Sequence, residues 1–82
     1  MSNGSRLPRF PTVGDPAVRS RILALVDQQG YASNSRVRAD LGVGYDEAIA
    51  IFNWLLAEGA LVRIGKAGGT RYLRPIELEP RG

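Results

Sequence analysis

The chain has 82 residues, 44% of them apolar, and a formal net charge of +3. That length allows one domain with a single small core, and no apolar run approaches the ~20 residues of a membrane span. Without cysteine there are no disulfides or thiolate metal sites, and without histidine the commonest general base and neutral metal ligand are missing, so a non-enzymatic cytoplasmic protein without metal or cofactor is expected.

Residues 1–14 are rich in Pro, Gly and Ser and read as a flexible arm. Their lack of an apolar h-region argues against a signal peptide. The first helix has Asp15 as its N-cap, Pro16 at its first position and Gly30 at its stop. Val18, Ile22, Leu25 and Val26 fall at i, i+4, i+7 and i+8, which makes one buried stripe. Tyr31 and Ala32 fit a minimal strand. A short second helix follows, capped by Ser33, ended by Gly42, with Val37 and Leu41 facing inward. A third helix opens near Gly44 or Tyr45 and stops at Gly59. Leu61, Val62 and Ile64, then Tyr72 and Leu73, flank a Gly-rich turn and predict a β-hairpin that Pro75 ends. Residues 76–82 are left as a tail. This order over residues 15–75 predicts a small α+β winged helix-turn-helix: three helices and a C-terminal hairpin wing.

The spacing within residues 32–62 supports that assignment. Ser33, Ser35, Leu41, the Gly44–Tyr45 pair, Ala48, Leu55 and Gly59 follow a Ser-x-Ser, Leu, Gly-Tyr, Ala pattern. In this the stretch resembles the gamma domain of FtsK-type bacterial DNA translocases and, more loosely, MarR-type regulators. The resemblance implies the helix-turn-helix scaffold, with Val37, Leu41, Val43, Ala48, Ile51, Phe52 and Leu55 packing the two helices. Where that family carries Arg, this chain has Ala39, Asp40, Gly42, Glu47 and Ala50. The resemblance therefore implies the fold and not the family's base recognition.

Charge is unevenly spread. Residues 1–60 balance six Arg against six acids, whereas residues 61–74 hold Arg63, Lys66, Arg71 and Arg74 with no acid. A polyanion would be drawn to that hairpin. Strand alternation sets Arg63 against Val62 and Ile64 and sets Arg71 against Tyr72, so both arginines are expected on the outer side with Lys66 at the tip. Arg36 and Arg38 on the second helix would add backbone contacts. Tyr72 is expected at a core or edge position, with stacking on a base as the alternative.

The third helix carries Asp46, Glu47 and Glu58 and no cation. Carboxylates in a first turn are favoured by ~0.3–1 kcal/mol beside the exposed N–H groups. Yet that turn is where a recognition helix meets base edges, and a carboxylate repels the flanking phosphates. Glu47 as a reader of the cytosine amino group is a secondary possibility. The outer surface of this helix is unusually apolar, and Ile49, Asn53, Trp54 and Leu56 form a candidate interaction or dimer face.

Together these features predict a bacterial DNA-binding winged helix that holds phosphates of double-stranded DNA through its wing. It would act as a transcriptional regulator or as a chromosome- or plasmid-associated factor in the nucleoid, as a homodimer or with a protein partner through helix three. The alternative is an interaction module that uses helix three alone. No catalytic residue and no membrane partner is expected.

Overall fold

The computed structural model describes residues 10–66 and 69–75. Three helices come first in the chain: α1 (Pro16–Gln29), α2 (Asn34–Leu41) and α3 (Tyr45–Ala57). An antiparallel hairpin of β1 (Val62–Ile64) and β2 (Arg71–Leu73) follows, which is the winged-helix layout.

Local chemistry sets each boundary. The Asp15 carboxylate accepts from the Ala17 amide at 2.9 Å, and Pro16 occupies a position whose N–H would be unpaired in any case. The Gly30 N–H donates to the Val26 carbonyl at 2.7 Å and closes α1. Ser33 caps α2 by accepting from the Arg36 amide at 3.3 Å. Gly42, at φ 71°, lets the chain leave α2 through the left-handed region and enter α3 two residues later. Gly44 precedes α3 without a side-chain cap, so Asp46 and Glu47 in the first turn are the favourable charges there.

Burial follows the helical period. Val18, Ile22, Leu25 and Val26 of α1 meet Val37 of α2 and Ala48, Ile51, Phe52 and Leu55 of α3, with Ala32 and Leu61 closing the core. The hairpin joins this core through Tyr72, whose ring stacks on Phe52 at 3.7 Å between centroids and 7° between planes. That fixes the wing against α3 and places Tyr72 at the core edge.

Ala32 adds a third, one-residue rung. Its N–H donates to the Tyr72 carbonyl and its carbonyl accepts from the Tyr72 N–H, both at 2.9 Å. The minimal strand expected at Tyr31 and Ala32 is therefore a single bridge on the free edge of β2.

The register departs from expectation on one point that matters for the wing. Val62 faces Leu73, Arg63 faces Tyr72 and Ile64 faces Arg71. Directly opposed residues of an antiparallel pair share a face, so Arg63 lies with Tyr72 on the α3 side. Arg71 lies with Ile64 on the other. The two arginines do not share an outer surface.

The expected flexible arm also needs dividing. Residues 10–14 form two turns, through Val13 N–H to the Phe10 carbonyl and Asp15 N–H to the Thr12 carbonyl, and Val13 packs on the core. Residues 1–9 and the tail at 76–82, with Arg6 and Arg9, lie outside the described residues.

Candidate nucleic-acid interface

A groove of about 470 Å³ runs between the start of α2, the outer flank of α3 and the hairpin. Ser33, Asn34, Ser35 and Arg38 form one wall, Tyr45, Ile49 and Asn53 the floor, and Arg63, Thr70 and Tyr72 the other wall. None of these residues is acidic. Ser35, Arg38, Tyr45, Ile49, Asn53 and Arg63 are all exposed, so this is an open surface groove and not an enclosed cavity.

Its two cations are held differently. Arg38 donates from Nε to Asn34 Oδ1 at 2.6 Å, and its guanidinium lies 5.8 Å from the Tyr45 ring centre. Arg63 has no hydrogen-bond or carboxylate partner among the described residues. The Tyr72 ring opposite it gives the strand an anchor, so the arginine extends from a fixed base.

A second cationic cluster sits on the reverse face of the sheet, around Tyr31. The Arg36 guanidinium lies 4.8 Å from the Tyr31 ring centre and that of Arg71 4.5 Å. Arg36 also donates to the Tyr31 hydroxyl at 3.0 Å and to the Gln29 side-chain carbonyl. Each cation–π contact contributes of order 0.5–1 kcal/mol, with Tyr31 and Arg36 half-buried and Arg71 exposed. Neither guanidinium meets a carboxylate among the described residues, so two like charges share one aromatic ring, an arrangement that an added anion would stabilise.

The ion pairs have a consistent placement. Arg19 pairs with Glu58 at 3.0 Å, Arg21 with Asp40 at 3.2 Å and Arg74 with Asp27 at 3.0 Å. Every one involves α1. Arg74, expected among the phosphate contacts, is here engaged by a carboxylate 47 positions away, which would compete with phosphate for it. Arg36, Arg38, Arg63, Lys66 and Arg71 have no carboxylate partner among the described residues, and all five belong to α2 or the hairpin.

Glu47 accepts a hydrogen bond from the Thr12 hydroxyl at 2.7 Å and is half-buried. This contact ties the segment before α1 onto α3, and Glu47 is not among the residues that line the groove. Asp46 remains exposed at the start of α3.

The expected interaction face does not form as a single surface. Leu56 and Trp54 are half-buried and pack against the core. Trp54 lies ~140° around the helix from Ile49, since each residue advances ~100°. Only Ile49 and Asn53 of the four are exposed, and Tyr45 joins them one turn earlier.

Asn34 is not singled out from sequence, and Tyr31 and Tyr45 are read there only as parts of a strand and a helix start, although each orients or contacts an arginine that meets no carboxylate among the described residues. Their common signal is a polar or aromatic residue a few positions from Arg36 or Arg38, which is too common a pattern to stand out. Among the described residues no three Asp or Glu side chains converge on a metal position, and no helix is long and apolar enough to cross a membrane. No protein-family model matches the chain, and no curated protein matches it in sequence.

Proposed function

We propose that this chain is a non-enzymatic DNA-binding winged-helix protein that holds the phosphates of double-stranded DNA through the α2–α3–hairpin groove and the cationic cluster beside it around Tyr31. The observation that carries the reading is the sorting of charge. Among the described residues the cations that pair with carboxylates do so in contacts involving α1, while Arg36, Arg38, Arg63, Lys66 and Arg71 meet no carboxylate and stand open to an external anion. A folded polyanion-binding surface needs that segregation, because internal pairs would otherwise compete with phosphate. A role in transcription or chromosome maintenance in a bacterial cytoplasm fits such binding.

The test is a mobility shift with random duplex across a salt series. Five phosphate contacts give a slope of log K against log salt of about −4.5. Absence of any shift at low salt overturns the reading. An association module, whether a homodimer or a complex with another protein, is the second reading. It is favoured by the exposure of Tyr45 at 58% and Ile49 at 37%. Sedimentation of the wild type against Ile49→Glu checks it, with a dimer that the substitution splits as the supporting result.

A further inference from the structure

The two edges of the hairpin differ. On the β2 edge, both backbone groups of Tyr72 are taken by Ala32 at 2.9 Å. The N–H and C=O of a strand residue point to the same side, so Tyr72 turns both away from β1, and its pair with Arg63 is of the non-hydrogen-bonded kind. Arg63 therefore directs its own N–H and C=O outward, along an edge of β1 where no described residue pairs with it. Beside it Ile64 is 39% exposed, an apolar side chain that the fold leaves without cover. An open edge flanked by apolar surface is a template for a further strand.

The chemistry of that edge selects its partner. β1 reads apolar, cationic, apolar over Val62, Arg63 and Ile64. A second β1 laid antiparallel about Arg63 would set that arginine against its own copy, and like charges directly opposite are destabilising. The complement is apolar, acidic, apolar. Outside the three helices, the one acidic residue of the sequence with a large apolar residue on each side is Glu77, between Ile76 and Leu78 and just past Pro75, the last described residue. We infer that residues 76–78 of one copy add as an antiparallel strand to the β1 edge of a second copy, and that the two copies do so reciprocally. Glu77 then exchanges both backbone hydrogen bonds with Arg63 and shares its face, while Ile76 lies against Ile64 and Leu78 against Val62. Such a strand runs in the same direction as β2, and a chain needs about a dozen residues to cross over between strands of one direction. Arg74 and Pro75 are too few for that, and Arg74 is held by Asp27, so the segment serves a neighbouring molecule and not its own. Reciprocal exchange uses the same patch on both copies, which closes the assembly as a dimer.

The experiment is sedimentation velocity of the full 82-residue chain over a concentration series, without DNA, so its outcome is separate from that of the DNA-binding reading. The wild type should dimerise, and the Arg63 amide should exchange with solvent more slowly in the dimer. Arg63→Glu alone and Glu77→Lys alone each set like charges opposite one another at both contacts and should weaken dimerisation about tenfold. Mixing the two variants, or combining both substitutions in one chain, should restore it, because opposite charges then face each other again. Rescue by mixing is specific to exchange between molecules, since a segment paired to its own β1 gains nothing from the other variant. Circular dichroism checks that each variant folds. A chain that stays monomeric at every concentration overturns the inference. So does a dimer unchanged by either reversal, or rescue in the double variant without rescue in the mixture. A dimer split by Ile49→Glu and indifferent to both reversals assigns association to α3 and overturns it as well.

Discussion

Thr12 and Glu47 show how a charge that looks misplaced in one dimension can be structural in three. The carboxylate near the start of α3 accepts from a hydroxyl 35 positions earlier, so it holds the segment before α1 against α3. Thr12→Val should lower stability by about 1 kcal/mol and speed proteolysis near residue 12, read by denaturant melts and limited digestion. Glu47→Ala should do the same to stability and leave DNA affinity equal or slightly higher. Tyr31 makes a complementary case. Tyr31→Phe keeps the ring under both guanidiniums and loses one hydrogen bond, whereas Tyr31→Leu releases Arg36 and Arg71 together. Affinity for random duplex should fall several-fold in Tyr31→Leu and barely in Tyr31→Phe, as measured by fluorescence anisotropy. Neither partnership is readable from spacing, because Thr12 and Glu47 are 35 positions apart and Arg71 reaches Tyr31 only once the bridge at Ala32 has brought β2 alongside.

At the level of elements, the helices were the most legible part. Asp15, Pro16, Ser33 and Gly42 mark boundaries through local hydrogen bonding, and the stripe Val18, Ile22, Leu25 and Val26 needs only the 3.6-residue period. The hairpin was legible as two strands and not as a surface. Alternation places Arg63 and Arg71 correctly within their own strands, but which face each shares depends on the residues in the turn, and a shift of one exchanges the faces. Arg63 consequently lines the groove, whereas Arg71 belongs to the cluster around Tyr31 on the reverse face of the sheet. The double variant Arg63→Ala/Arg71→Ala should flatten the salt slope by about 1.8, whereas Arg74→Ala, already neutralised by Asp27, should leave the affinity within about twofold. The turn itself depends on Gly65, at φ 87°. A Cβ there would lie 2.5 Å from the Gly69 carbonyl oxygen. Gly65→Ala should therefore cost about 1–3 kcal/mol in a thermal melt and weaken DNA binding by displacing Arg63 and Lys66.

For the molecule as a whole, one buried ring joins the two halves of the fold. Phe52 is among the largest fully buried side chains and also the platform on which Tyr72 stacks. Truncation to Ala removes about 3–5 kcal/mol from a domain whose total is of order 5–15. Phe52→Ala should thus melt far below wild type, with the hairpin and helices losing structure together in circular dichroism. The outer flank of α3 was harder to read at this scale. Trp54 and Leu56 look like surface positions on a helical wheel drawn around four core residues. The neighbouring elements widen the buried arc on both sides, and the hydrophobic surplus of α3 is largely absorbed there.

That every ion pair among the described residues involves α1 has a kinetic corollary for the proposed DNA binding. With the remaining positive charge displaced toward α2 and the hairpin, the molecule experiences a torque in the field of a rod-like polyanion and turns that side forward before contact. Arrival should then slow steeply with added salt, while departure, governed by close-range bonds, should change less.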